Sequence, residues 1–269
     1  MCGLAAFIGK SKDYSLSYKL FNTLFVCLEE RGVDASGFYG TKNDSEEYFF
    51  YKQSGKASEL IKANNWKEIE NFELDLLMIH TRKISSNSGN ASDNNNNHPF
   101  LGIKNKSALV HNGIVHEYEK LKKCYETLSK CDSEILLRVL DFQFDSNDYV
   151  KSRLNQIKGL LGLIKASEFT FLLSDLFEDK KSLWAIKNEH RPLFMIDARE
   201  ELNQIIFVST VDIWQNALDE MKNTNLKKCK VFFLENNFII NVIKNKDNSL
   251  DLKFFSYNWE NYSEFNLIN

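Results

Sequence analysis

The sequence predicts an α+β fold with layered sheets, on two observations. β-Prone apolar runs recur along the chain, whereas only a few stretches carry the three-and-four spacing of apolar residues that marks a helix. Strands and helices also fail to alternate in a β–α–β rhythm, which disfavours a parallel doubly-wound sheet. With 269 residues, no Pro- or Gly/Ser-rich linker and no internal repeat, the expectation is one domain over 1–269.

Residues 2–8 form a short apolar run flanked by Gly3 and Gly9, which reads as a buried strand. Leu16, Leu20, Leu24, Cys27 and Leu28 then make one apolar face of a helix that Arg31-Gly32 ends. A polar turn from Arg31 to Gly37 leads into β-rich material at 38–39 and 48–51. A mostly surface helix is expected over 57–70 and a strand over 74–79. From Ser85 to Asn97 the chain is polar and closes with four asparagines, a tract expected to be solvated and mobile. A strand over 107–110 runs into His111-Asn112-Gly113. Helices are expected over 117–128 and over 133–143, the second with Asp132 as its N-cap. Ser146 or Asn147 would cap a further helix to Lys158. Beyond Gly159 come strands at 169–174, 182–187, 192–197 and 205–209, a helix over 211–221, and strands at 231–235, 238–243 and 252–257. The late aromatics, such as Phe233, Phe254, Phe255 and Trp259, read as sheet core with some left for an interface.

A formal net charge of −3 argues against nucleic acid and anionic membrane as partners. No apolar run is long enough to span a membrane, and no basic-then-apolar leader opens the chain. The five cysteines are odd in number, scattered and without C-x-x-C spacing. That fits reduced thiols in a cytoplasmic protein rather than a disulfide frame or a zinc site. His80, His98, His111 and His116 show no His-x-x-x-His pattern, so structural roles are expected, with no metal and no cofactor implied.

Cys2 stands directly after Met1. Removal of Met1 would give one residue a thiol of unperturbed pKa about 8.5 and an α-amine of about 7.7–8.0. Such an amine can accept a proton near neutral pH, and such a thiol needs little help to react. From the first nine residues alone, a small side chain entering a strand is the simpler reading.

The motifs further along reverse that preference. Met1-Cys2-Gly3 opens the chain, Arg31-Gly32-x-Asp34-x-Ser36-Gly37 follows the first helix, His80-Thr81-Arg82 follows a strand, and His98-Pro99 ends the polar loop. Val110-His111-Asn112-Gly113-Ile114 and Asp132-Ser133-Glu134 come next. In this order the series resembles the class II glutamine amidotransferases, which are N-terminal-nucleophile hydrolases. Glu189-His190-Arg191-Pro192-Leu193 and Val208-Ser209 are similar to that family's second half.

The resemblance implies a four-layer αββα sandwich and hydrolysis of the glutamine side-chain amide. It implies Cys2 as the nucleophile, through a thioester, with the Asn112 side-chain amide and the Gly113 backbone N–H as oxyanion donors. Arg82 would hold the glutamine α-carboxylate, a task suited to a planar guanidinium, and Asp132 the α-ammonium. Ser85 would offer a hydroxyl to substrate; Arg31, Asp34, His80 and His111 would support the site. Four positions depart from the family pattern. Ser85-Ser86 replaces Thr-His, Lys83 replaces a common aromatic, and Val33 replaces a frequent Pro or Tyr.

Neither a Ser-Gly-Gly-x-Asp-Ser loop nor a Gly-x-x-x-x-Gly-Lys-Ser/Thr loop occurs. The expectation is therefore a free-standing domain that releases ammonia from L-glutamine for a separate acceptor synthase. Two readings remain beside it, a catalytically silent relative that binds a small amide or a partner, and a hydrolase of another γ-glutamyl or amide substrate. A homo-oligomer is left open.

Overall fold

The structure is a computed structural model that describes residues 1–269 except 86, 87, 144, 146, 179, 223, 224, 258–261 and 266–269, with the backbone alone at 262–265. Ser86, Ser146 and Trp259 thus lie outside the described residues. The chain begins with β1 (Gly3–Ile8), α1 (Tyr14–Cys27), β2 (Ala35–Lys42), β3 (Tyr48–Ser54), α2 (Ala57–Leu60), α3 (Asn64–Ile69) and β4 (Leu74–Arg82). After the polar loop come β5 (Phe100–Leu101), β6 (Ser107–Ile114), α4 (Tyr118–Leu121), α5 (Ser133–Leu140) and α6 (Tyr149–Leu163). Then follow β7 (Glu168–Phe177), β8 (Lys180–Lys187), β9 (Phe194–Ala198), α7 (Arg199–Leu202), β10 (Gln204–Val208) and α8 (Val211–Met221). The last strands are β11 (Lys230–Phe233), β12 (Phe238–Lys244), β13 (Leu250–Tyr257) and β14 (Tyr262–Phe265).

Two antiparallel seven-stranded sheets result, in the orders β11-β9-β10-β1-β4-β2-β3 and β14-β13-β12-β8-β7-β6-β5. The pleat sends alternate side chains to opposite faces, so each strand serves two apolar layers. In β1, Ala5 and Phe7 join the layer under α1 and α8, while Leu4, Ala6 and Ile8 join the layer between the sheets. The outer face of the second sheet is covered by α5 and α6 through Ile135, Leu136, Ile157 and Leu161. The architecture is the four-layer αββα sandwich. Asp13 begins α1 by accepting from Leu16 N at 2.9 Å, and Thr210 begins α8 by accepting from Ile213 N. Among the described residues, no helix is long and apolar enough to cross a membrane.

Buried charges pin the layers at two places. Arg153 on α6 is fully buried, and its Nε donates to Asp175 Oδ2 of β7 at 2.8 Å. Between the sheets, Asp75 of β4 takes Lys181 of β8 at 2.7 Å and Lys244 of β12 at 3.2 Å, with Thr41 Oγ1 donating at 2.8 Å.

Most expected elements appear within a few residues of their expected limits, and four expectations differ. The one mostly surface helix expected over 57–70 is the two short helices α2 and α3, whose Leu60, Trp66 and Ile69 are fully buried. The helix expected over 117–128 is only the single turn α4. Beyond it the N–H groups of Leu128 and Ser129 donate to the Glu134 carboxylate, at 3.1 and 2.7 Å, so the segment folds back onto α5. Asp132 holds the N-cap position of α5 but has helical φ and ψ and makes no side-chain capping bond. Helix α6 begins at Tyr149 and runs through Gly159 to Leu163, past the expected stop. Of the late aromatics, Phe254 and Phe255 are buried, whereas Phe233 on β11 is exposed.

Asp75→Asn is expected to destabilise the fold by about 3–5 kcal/mol in urea denaturation, because it leaves buried Lys181 without a carboxylate and Lys244 with only the exposed Asp44. A cost under about 1 kcal/mol would show that the pair does not pin the sheets.

Candidate active site

β1 lies at the centre of the first sheet between β10 and β4, and so delivers Cys2 to the end of β4, where Gly3 pairs with Thr81. Cys2 is half-buried. Its Sγ accepts from Lys83 N at 3.4 Å and sits 3.6 Å from Lys83 O. Burial pushes the Cys2 thiol above its ordinary value, against the opposing pull of the Lys83 N–H, the amino terminus, Arg82 and Arg31.

The turn after α1 fixes this corner. Arg31 Nε donates to Cys2 O at 2.6 Å, and its Nη2 reaches Met1 Sδ at 3.8 Å. Asp34 N donates to Arg82 O at 2.9 Å, while Asp34 Oδ2 accepts from Ile84 N at 2.8 Å and pairs with Lys83 Nζ at 3.5 Å. Gly32 allows the close approach, since a Cβ there would lie 2.4 Å from the carbonyl carbon of Arg82.

β6 brings Asn112 and Gly113 from the second sheet. Asn112 Nδ2 donates to Ser209 Oγ at 3.2 Å, and Ser209 Oγ also accepts from Leu4 N at 2.7 Å and donates to Leu4 O at 2.9 Å. Gly113 has φ +155°, and a Cβ on it would stand 1.8 Å from Glu168 O. Behind them, His80 Nε2 meets His111 O at 3.0 Å and His111 Nδ1 meets Ser133 Oγ at 2.8 Å. The His98 ring stacks on His80 at 4.0 Å, with neither nitrogen partnered among the described residues.

Cys2, Asn112, Gly113 and Ser85 line one cavity of about 230 Å³, with Met1 on its wall. Arg31, Lys83 and Arg191 bring cations to the same cavity. The two clamp residues expected from the sequence are not among its lining. Arg82 is 1 % exposed; its Nη1 donates to Asn97 Oδ1 at 2.6 Å, and its Nη2 to Ser88 O and, at 2.9 Å, to Gly89 O. Asp132 is also buried, and its Oδ2 accepts from Val115 N at 2.7 Å. Both expected contacts with a substrate head are therefore occupied by the chain itself. The asparagine tract is likewise not simply solvated. Asn96 and Asn97 are buried, and Asn97 Nδ2 donates to Ala91 O at 2.8 Å, because the loop supplies acceptors to the Arg82 guanidinium.

No family model matches the chain. A glutamine–fructose-6-phosphate aminotransferase (isomerizing) of Lactiplantibacillus plantarum is 30% identical over 193 residues, 70% of this chain and 29% of that protein. Its counterpart in Helicobacter pylori is 28% identical over 272 residues, 98% of this chain and 42% of that protein. The chain thus spans less than half the length of these curated relatives. In fold it is similar to glutamine phosphoribosylpyrophosphate amidotransferase from B. subtilis, with a TM-score of 0.63 over 93% of this chain and 48% of that one at 16% identity. A glutamine aminotransferase class-II domain protein from Silicibacter pomeroyi gives 0.54 over 95% of this chain and 100% of that one at 13% identity. The chain belongs to the class II glutamine amidotransferases.

In this class II domain the sequence motifs bring Cys2, Asn112, Gly113, Ser85 and Arg31 to one cavity, and set Asp34, His80 and His111 as its supports. Arg191 lines the cavity although the sequence marked it only as part of a motif, and Ser209 ties Asn112 to β1. Nothing in the spacing of Asn97 announced its bond to Arg82.

The three buried histidines make stability pH-dependent. Burial lowers His80 and His111 to about 3 and His98 well below its ordinary value. The unfolded chain binds those protons below about pH 6.5 and the fold does not. Stability is therefore complete above that pH and falls as pH drops toward 3, by up to about 1.4 kcal/mol per unit for each ring. His98→Phe is expected to flatten the fall in urea-unfolding free energy between pH 6.5 and 4.5 by about one proton's slope. An unchanged slope would exclude His98 as a titrating group.

Proposed function

We propose that this class II domain hydrolyses the side-chain amide of glutamine through Cys2. The observation that carries the reading is the cavity itself, where Cys2 at the start of the first sheet meets Asn112 and Gly113 of the second. With Met1 removed, the Cys2 α-amine would take the thiol proton. Sγ then attacks the amide carbon, and Asn112 Nδ2–H and Gly113 N–H receive the oxyanion. The C–N bond breaks, ammonia leaves with the proton, and water cleaves the thioester to give glutamate and the thiol again. The released ammonia would pass to an amino-group acceptor, in keeping with the aminotransferase names of the relatives, and our reading assigns that acceptor to a separate synthase.

Met1 is the condition of this mechanism. While it is attached, the nitrogen of Cys2 is an amide and cannot serve as base, and the buried thiol stays protonated near neutral pH. Processed protein is expected to release ammonia from glutamine; protein that retains Met1, and Cys2→Ala, are expected to release none above background. Processed enzyme that is inactive with glutamine, alone and with an acceptor synthase, would leave the silent binding protein as the reading.

Asn112→Ala is expected to lower kcat by about 10²–10³ with a much smaller change in KM, the signature of an oxyanion donor. Steady-state kinetics with circular dichroism as a folding control checks it. Equal losses in both parameters would remove Asn112 from that role.

A further inference from the structure

We infer that the open edge of the first sheet, strand β11, pairs antiparallel with β11 of a second copy of the chain, so that the two first sheets run on as one across a twofold axis at Phe232. This surface is independent of the chemistry at Cys2.

β11 ends the first sheet, and among the described residues β9 is the strand it pairs with. Its backbone is oriented to take a further strand. Leu234 N donates to Leu193 O, just before β9, at 3.1 Å. The alternation of an antiparallel ladder then turns Phe232 toward β9 as well, and turns the N–H and C=O of Val231 and Phe233 outward. Neither of these two has a backbone partner on that side among the described residues. An edge of this kind is a template for another chain, and proteins that keep it free cover it, bend it or charge it. Here it is apolar, with Val231 39% and Phe233 58% exposed.

The side chains make the edge complementary to itself. Phe232 packs into the layer between the sheets, so the pleat puts Val231 and Phe233 on the face that carries α8. Val231 there lines a groove of about 390 Å³ with Val211, Trp214 and Leu218 of α8. The Phe233 ring stands against Phe194 at 5.2 Å and 5.6 Å from Lys187 Nζ, and most of it is left to solvent. One register satisfies backbone and side chains together. With Phe232 opposite Phe232, Val231 faces the second copy's Phe233, and Phe233 faces the second copy's Val231. These are the outward-turned residues, so each such pair exchanges both of its N–H···O bonds. The same register sets each Phe233 ring over the other copy's Val231, at the mouth of the groove. Displacement by two residues either way would set Phe233 opposite Cys229 or opposite itself, away from the groove.

Charge agrees with that register. Lys227, Lys228 and Lys230 stand at the start of the strand and Glu235 just past its end, all of them exposed. Lys227 pairs with Asp219, and Lys230 stands across from Asp197, which Arg199 holds at 2.6 Å. Lys228 and Glu235 have no ion pair among the described residues. Antiparallel pairing brings Glu235 of one copy opposite Cys229 of the other, between Lys228 and Lys230, and the symmetry repeats the contact at the far end.

Sedimentation and light scattering on the full chain over roughly 1–100 μM are expected to show a reversible dimer. Phe233→Glu and, separately, Val231→Lys are expected to weaken it at least about tenfold with the circular dichroism unchanged, since both side chains are exposed in the single chain. The decisive arm is a charge exchange. Glu235→Lys protein and Lys228→Glu/Lys230→Glu protein are each expected to dimerise at least about tenfold more weakly alone. Mixed in equal amounts they are expected to associate within about threefold of the unaltered chain, because the mixed pair has opposite charges at both ends. A chain that stays monomeric at about 100 μM would overturn the inference. So would a dimer that folded Phe233→Glu and Val231→Lys leave unchanged, or a mixture that associates no better than its separate components, since either result puts the contact elsewhere.

Discussion

One hydroxyl joins the two sheets where the chemistry is placed. Ser209 Oγ takes Leu4 N, gives its proton to Leu4 O and accepts from Asn112 Nδ2. Leu4 lies two residues from the thiol on the first sheet, and Asn112 on the second. A thiol and an amide that belong to different layers are thereby held in a common frame. Ser209 is fully buried, which favours this network, because in a dry setting the alternative is unpaired polar groups at about 1–3 kcal/mol each. The surrounding constraints serve the same end. Gly32 lets the first turn press on Arg82, and Gly113 lets β6 press on the Glu168 carbonyl.

The loop after β4 follows from a second buried polar group. A guanidinium almost without solvent contact needs oxygen acceptors, and the chain from Ser88 to Asn97 wraps to provide them. Low complexity made that stretch read as solvated, yet amide side chains are suited to such a task, since each offers a donor and an acceptor. Asn97 uses both, giving to Ala91 O and accepting from Arg82. The same wrapping explains how an arginine in the position of a family substrate ligand can be absent from the cavity wall.

The fold was legible where burial has a period. Leu20, Leu24 and Cys27 announce α1, and alternate residues of β1 face two layers. The motif order was enough to imply αββα and to bring Cys2, Asn112 and Gly113 together. What escaped has no period. Whether Asp132 caps its helix depends on Val115, seventeen residues upstream, and the false helix after α4 depends on Glu134 taking two backbone N–H groups. The ion pair of Asp75 with Lys181 joins positions 106 apart, which no local pattern can encode. Arg191 was visible as a letter in a motif, but its exposure to the cavity is a property of the assembled sheets.

The proposed processing step changes the electrostatics of the site as well as its chemistry. Met1 lines the cavity, and its sulfur is the contact of Arg31 Nη2. Cleaving the bond to Cys2 would remove both, so that a guanidinium edge turns toward the cavity as the α-amine appears beside the thiol. That amine carries positive charge in its protonated form and would lower the thiol's pKa, against the burial that raises it. Once it loses its proton it becomes the base. Nucleophile, base and anion-receiving charge would then arise from one cleavage, which accounts for a corner built so that Arg31 holds Cys2 by the carbonyl and leaves its nitrogen unconstrained by that contact.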